Sequence, residues 1–136
     1  MNFVNKDIIK YGLHDTAFDL IEINNDGITL LFADGVYFLD ENGKEVSLSK
    51  ECRLKLTIDN FNSENLNEHI TVTKVHKNKV QEIEMIDFIN KLKNNRFDIY
   101  LDFYSDFSRS ILLKGYLSKN KFEIIISEIN NIEFII

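Results

Sequence analysis

Apolar and polar residues alternate along two segments of the chain. Apolar side chains hold the even positions from Cys52 to Ile58, and basic or hydroxyl side chains hold the odd positions between them. From Phe97 to Tyr104 the odd positions are again apolar, while the even positions carry aspartate and tyrosine. Because successive side chains of a strand point to opposite faces, each segment is predicted to be a β-strand with one buried face.

Turn dipeptides divide the first half of the chain into short strands. Asp26-Gly27, Asp34-Gly35 and Asn42-Gly43 combine residues that reach positive φ at little cost, as tight hairpin turns require. The segments between them, residues 28–32 and 36–40, are about five residues long, which is a common strand length. The pattern predicts a meander of short antiparallel strands.

A spacing of three and four residues indicates one helix near residues 84–94. The apolar residues that give this spacing are Ile83, Met85, Ile86, Phe88, Ile89 and Leu92. On a helix these side chains form a single stripe that faces a core. Asn94 and Asn95 are expected to end the helix.

The remaining pattern completes a mainly β prediction. Further strands are predicted at residues 70–75, 109–117, 122–129 and 132–136, and the polar segment 60–67 is predicted to be the longest loop. No linker-like segment or repeat interrupts the sequence, so residues 1–136 are predicted to form a single domain. The predicted fold class is mainly β (α+β): a curved antiparallel sheet, forming a sandwich or half-barrel, with one short helix near residues 84–94.

The composition favours a folded cytoplasmic protein. The 136 residues are 44% hydrophobic and carry a net charge of −6 at pH 7. Without a cluster of lysine and arginine, nucleic acid is not an expected partner. Cys52 is the only cysteine, so no internal disulfide can form. Residues 1–7 lack the pattern of a signal peptide, and no apolar run approaches the roughly 20 residues that span a bilayer, so no membrane contact is expected.

The chain offers little that is typical of catalysis. The adjacent pair His14 and Asp15 could bind a metal or orient an imidazole, but a turn or capping role at the entry to the first hairpin is favoured. Cys52 begins an alternating strand, which favours a buried structural thiol over a nucleophile. No phosphate-binding loop, nucleophile elbow or helical His-Glu-x-x-His segment is present. The sequence therefore predicts a protein that is not an enzyme, with no catalytic residue, no metal site and no cofactor.

Tyrosines and carboxylates are concentrated on one predicted strand face and just beyond it. The residues are Asp98, Tyr100, Asp102, Tyr104 and Asp106. Rigid aromatic side chains supply contact area and carboxylates pair with lysine or arginine, so this face is a candidate surface for binding a basic partner. The alternative is scaffold, because tyrosine has a high strand propensity and can lie under the helix.

Two short motifs carry a resemblance to a known group of proteins. Leu13-His14-Asp15 precedes a predicted hairpin, and residues 111–116 form an apolar strand ending in glycine and tyrosine. In these features the chain resembles small uncharacterised proteins of Gram-positive bacteria that begin with a Leu-His-Asp motif, some of which occur in polymorphic toxin loci. The resemblance implies an immunity role, and it provides no catalytic residue.

These observations lead to three functional hypotheses. The first is a non-enzymatic protein-binding module, an immunity or antitoxin-like protein that neutralises a basic partner such as a toxin domain. The second is a homo-oligomeric assembly protein that uses an exposed strand edge, since several strands lack the lysines and prolines that usually protect edges. The third is a half-barrel that binds a small molecule, which a polar pocket containing His14 would favour.

Overall fold

The computed structural model describes residues 10–136. The N-terminal segment, over which the sequence predicts no signal peptide, lies outside the described residues. Thirteen strands and one α-helix are present in the described part, and their bounds are as follows: β1 Tyr11–Gly12, β2 Ala17–Phe18, β3 Leu20–Ile23, β4 Gly27–Phe32, β5 Tyr37–Leu39, β6 Glu45–Leu48, β7 Cys52–Ile58, β8 Ile70–His76, β9 Lys79–Ile83, α1 Met85–Leu92, β10 Phe97–Ser105, β11 Ser110–Leu117, β12 Asn120–Ile126 and β13 Ile129–Ile135.

The strands form antiparallel sheets that do not close into a barrel. A six-stranded sheet has the order β2-β10-β11-β12-β8-β9, and a four-stranded sheet has the order β13-β7-β4-β3. A small third sheet, β1-β5-β6, joins strands from the first part of the chain. The fold is thus mainly β with one short helix, which confirms the predicted class.

The core lies between the buried faces of the two larger sheets. It is rich in phenylalanine, and the rings of Phe18, Phe88 and Phe97 lie with centroids 5.2 to 5.7 Å apart. Phe18 comes from β2 and also meets Phe32 of β4 edge to face, with centroids 5.9 Å apart. These aromatic contacts and the aliphatic residues around them place both sheets and the helix against one hydrophobic cluster.

The helix is present, but its predicted apolar stripe is partly wrong. Met85, Phe88 and Leu92 are buried, whereas Ile86 is exposed. Ile83 belongs to strand β9, where it pairs with Val72. Pairing with β8 outweighs the local helical spacing, because a paired strand satisfies its backbone hydrogen bonds along the sheet.

Two further predictions need correction. Gly27 has no positive φ and lies inside β4, where a Cβ would come 1.9 Å from the carbonyl oxygen of Leu56. Glycine is required there by the close approach of β7, not by a turn. The predicted strand 122–129 also ends early, because Glu128 adopts a φ of 57° and separates β12 from β13.

The length of the α-helix bears on the prediction that no segment spans a bilayer. The helix is eight residues long, and among residues 10–136 no helix has the length and hydropathy needed to cross a membrane.

Candidate functional site

Strand β10 contains an irregularity at Tyr100 that decides where its polar residues lie. Ile99 pairs with Gly115 of β11, and Leu101 pairs with the next residue, Lys114, so Tyr100 has no partner in the register. One extra residue on a strand is a β-bulge, and it reverses the alternation of side chains that follow it. On the other edge of β10, the backbone N–H of Asp15 bonds the Ile99 carbonyl oxygen at 2.9 Å.

The bulge divides the predicted acidic and tyrosine-containing face. Asp98 pairs with Tyr116, and the Tyr100 ring lies 5.4 Å from the Tyr116 ring, so both residues lie on the outer face of the six-stranded sheet. Asp102 pairs with Leu113 and Tyr104 with Ile111, both of which are buried, so these two residues lie on the inner face. The prediction of one common face is therefore wrong, because the alternation was assumed to continue without a bulge.

Leu101 and Phe103 change sides for the same reason. The sequence predicts both as core residues, yet both are exposed, and Phe103 retains 60% of its accessible surface. Phe103 pairs with Leu112 on the outer face. The apolar half of β10 is thus buried only as far as Ile99.

Beyond the bulge, the inner face opens onto a cavity of about 450 Å³ that we call the acidic cup. Its walls come from β1, β5, β6, β10, β11 and β13 and the loops beside them. The apolar lining consists of Tyr11, Leu13, Leu39, Phe103, Ile111 and Phe134. The Tyr11 ring stacks on the Phe134 ring with centroids 4.5 Å apart, so an aromatic pair contributes part of the wall.

Besides Tyr11, five ionisable side chains line the acidic cup. They are His14, Glu45, Asp102, Tyr104 and Asp106. Three of the five are carboxylates, and no lysine or arginine is among the described residues that line the cavity. An apolar wall combined with a few converging polar groups is typical of ligand sites, and the excess of carboxylates favours a positively charged ligand.

Asp102 lies on the wall of the acidic cup, where its side chain is exposed but its charge is still partly desolvated. The backbone N–H of Leu13 donates a hydrogen bond to its carboxylate, and His14 lies close enough to favour the charged form. Burial of the carboxyl group nevertheless outweighs both and raises the pKa of Asp102. A cation that enters the cup would relieve this cost, because it would supply the missing opposite charge.

Tyr104 and Asp106 form a second polar element of the acidic cup. The Tyr104 hydroxyl donates a hydrogen bond to Asp106 Oδ1 at 3.2 Å. Burial, followed by the contact with Asp106, raises the pKa of Tyr104 to about 12. The phenol therefore stays neutral at physiological pH, and its hydroxyl orients the Asp106 carboxyl group.

His14 and Asp15 occupy a turn beside the acidic cup. The backbone N–H of Thr16 bonds the Leu13 carbonyl oxygen at 3.1 Å, and Asp15 adopts a φ of 61°. His14 Nδ1 lies 3.1 Å from Asp15 Oδ2 and 3.8 Å from Glu45 Oε1. His14 thus lines the acidic cup beside Glu45 of the third sheet, whereas Asp15 is not among its lining residues, and no group of three metal-ligating side chains is found among residues 10–136.

Sequence reasoning missed half of the acidic cup. Glu45 lies on β6 and Phe134 on β13, far along the chain from Asp102, and neither carries a local pattern that marks a site. The hairpin tip beside Asp106 was also overlooked: Phe107 is fully exposed there. The acidic and tyrosine-rich composition of β10 and the presence of His14 are the features of the sequence that indicate this region.

Two further side chains that could act chemically, Cys52 and His69, have structural surroundings. Cys52 is fully buried in β7, and burial raises the pKa of its thiol to about 11. His69 is also buried, and its Nε2 accepts a hydrogen bond from the backbone N–H of Asn62 at 3.2 Å. Each side chain therefore holds its own part of the fold in place and lies apart from the acidic cup.

Likeness to known proteins adds nothing to this geometry. No family model, no curated protein and no solved structure matches the chain. The function is therefore argued from the acidic cup itself.

Proposed function

We propose that this protein is a non-enzymatic protein-binding module of the cytoplasm that holds a basic side chain of its partner in the acidic cup. In this proposal the partner is a basic protein such as a toxin domain, and the module acts as an immunity protein that neutralises it. The observation that carries the proposal is the convergence of Glu45, Asp102 and Asp106 on an apolar cavity without a compensating lysine or arginine.

The chemistry of the acidic cup matches a lysine or arginine side chain. Such side chains carry a long aliphatic stem and a charged end group, and the stem packs well against apolar walls. Here Leu39, Ile111 and Phe134 would receive the stem, and the carboxylates would receive the end group. The stacked aromatic pair adds a surface on which a guanidinium can lie.

Phe107 supports a protein as the partner. It lies at the tip of the β10–β11 hairpin, next to Asp106, and is fully exposed. Aromatic side chains are enriched among the residues that dominate binding energy, and they act by entering pockets of a partner. A cavity that receives a basic side chain, beside a projecting aromatic ring, gives two points of attachment. The net charge of −6 would also steer a basic partner toward the protein.

The test is a pull-down from native cytoplasm that compares three forms of the tagged protein. They are the wild type, the double variant Asp102→Asn with Asp106→Asn, and the control Asp98→Asn on the same strand. Retained proteins are identified by mass spectrometry at about 50 mM and about 500 mM salt, where screening differs strongly. We expect a basic protein that the wild type and the control retain at low salt, and that the double variant loses.

Two results would contradict the proposal. One is a partner that the double variant retains as well as the wild type does. The other is retention that does not change with salt, because contacts between a cation and exposed carboxylates weaken at high ionic strength. Stability provides a check on folding: Asp102→Asn removes a desolvated charge, so the variant is expected to unfold at least as late as the wild type at pH 7.

A second candidate function, small-molecule binding, is favoured by the volume of the acidic cup. About 450 Å³ lies within the range of cavities that bind small ligands. The ligand would be an organic cation with an apolar body. Titration of the isolated protein with butylamine and butylguanidinium, followed by NMR, separates the two candidates. Binding of these compounds with no partner retained in the pull-down would favour the small-molecule function.

A further inference from the structure

We propose that the outer face of the six-stranded sheet is a surface on which two copies of this chain associate. The inference does not rest on the acidic cup, because the bulge at Tyr100 turns Asp102 and Tyr104 to the inner face, and the two surfaces have only Phe103 in common. It rests on three observations: the apolar character of this face, its balance of charge and its extent.

The pairing register arranges the outer face in three rows that cross the strands. The first row contains Phe103, Leu112, Ile125 and Thr71. The third row contains Tyr116, Lys121, Val75 and Val80, with Tyr100 beside Tyr116. Most of these side chains are apolar or aromatic, although the solvent face of an antiparallel sheet is ordinarily polar. Exposed apolar side chains in two rows, on either side of a mostly polar middle row, are typical of an interaction site.

The charges on this face are balanced. The middle row runs from Leu101 through Lys114, Glu123 and Thr73 to Glu82. Lys114 Nζ lies 3.3 Å from Glu123 Oε1, and Lys121 Nζ lies 5.4 Å from the centroid of the Tyr100 ring. Two lysines and two glutamates thus offset one another, and Asp98 at the margin leaves one negative charge near the Arg96 guanidinium, which also pairs with Asp34 and Asp19.

Charge balance points to a second copy as the occupant. Each copy carries a net charge of −6, so two copies repel one another over most of their surfaces. The outer face is where this repulsion is smallest. A twofold axis through it would bring the Lys114 and Glu123 pair of one copy near that of the other, with opposite charges available to exchange. A basic partner would be drawn instead to the carboxylates of the acidic cup.

The extent of the face predicts a weak dimer. Four strands about 4.8 Å apart, each about seven residues long at about 3.3 Å per residue, give a footprint of about 450 Å² per copy. Both copies together would bury about 900 Å², slightly below the roughly 1,000 Å² expected of a stable specific interface and in the range of weak, transient ones. The association should therefore depend on concentration.

The edge of the six-stranded sheet is a less favourable surface for association than its outer face. The edge strand β9 carries Lys79 and Glu82, and these charges discourage pairing with a strand of another copy.

The test is sedimentation of the full chain from about 5 to about 500 µM, a range that covers weak association. We expect the mass to rise with concentration from 16.0 kDa toward twice that value. Ile125, which is 41% exposed in the first row of the face, is replaced in Ile125→Lys, and this variant should weaken the dimer at least tenfold. The control is Val46→Lys, since Val46 is exposed on β6, and this variant should sediment as the wild type does.

Salt separates this surface from the acidic cup. Because the face is apolar and balanced in charge, the dimer should persist or strengthen between about 50 and about 500 mM salt, whereas binding of a basic partner should weaken. Tyr116→Lys tests the same face if Ile125→Lys fails to give a native circular dichroism spectrum. A wild type that stays at 16.0 kDa at all concentrations would overturn the proposal. The same holds if the Ile125 and Tyr116 variants associate as the wild type does.

Discussion

Paired substitutions on either side of the bulge test whether β10 changes its buried face at Tyr100. Ile99 precedes the bulge and is 2% exposed, whereas Phe103 follows it and is 60% exposed. An uninterrupted strand would place both side chains in the core, because both hold odd positions. Ile99→Ala and Phe103→Ala therefore distinguish the bulged strand from the regular one.

The expected losses of stability differ severalfold. Replacing a buried isoleucine with alanine costs about 2 to 5 kcal/mol, since apolar contact is lost and a cavity remains. Full burial of a phenylalanine side chain stabilises a protein by about 1.5 to 3 kcal/mol, and Phe103 buries only about two-fifths of its surface. Phe103→Ala is thus expected to cost about 1 kcal/mol or less.

Urea denaturation followed by far-ultraviolet circular dichroism measures both values. The protein concentration is kept at about 5 µM, where a weak dimer contributes little. The midpoint should fall strongly for Ile99→Ala and only slightly for Phe103→Ala, with similar slopes for both. A loss at Phe103 equal to that at Ile99 would refute the bulge, and with it the position of Asp102 in the acidic cup.

Three further predictions follow from other parts of the fold. Gly27→Ala should lower the free energy of unfolding by about 3 kcal/mol or more, because the added Cβ would lie 1.9 Å from the Leu56 carbonyl oxygen. The control Gly43→Ala, at a φ of 78° in open space, should lower it by only about 1 kcal/mol, and equal losses would contradict the close approach at Gly27. Cys52 should resist a thiol reagent at pH 7, because with a pKa of about 11 roughly one thiol in ten thousand is ionised. The thiol should react fully when urea unfolds the protein, and rapid reaction of the native protein would contradict its burial. Asp59 accepts hydrogen bonds from Asn130 and Arg109, and these lower its pKa. Asp59→Ala should therefore reduce the free energy of unfolding by about 1 kcal/mol or less above pH 5, and this loss should vanish as the pH falls below about 4 through the folded-state pKa. A loss that stays constant down to pH 2 would exclude the carboxylate as its cause.

Much of the fold could be predicted from local pattern. The strand from Cys52 to Ile58 alternates between buried and half-buried residues over its whole length, as its sequence indicates. The turns at Gly35 and Gly43 have the positive φ values that their dipeptides predict. These elements were predictable because the physical cause of each, side-chain alternation or backbone freedom, lies within a few residues.

The acidic cup could be predicted only in part. Asp102, Tyr104 and Asp106 were singled out from their residue types, and the structure brings them to one cavity. Asp98 and Tyr100 were placed with them and lie on the opposite face. Nothing in the local sequence indicates that these two sets of residues lie on opposite faces of β10.

The sequence by itself determined the mainly β class, the helix and the acidic, tyrosine-rich character of β10. The tertiary structure decided which face of β10 meets the core on each side of Tyr100, because the bulge depends on partners distant in sequence. Gly115 and Lys114 fix the register on one edge, while the N–H groups of Asp15 and Leu13 bond to Ile99 and Asp102 on the other. An alternating pattern specifies two faces, but which face meets the core changes wherever pairing inserts one extra residue.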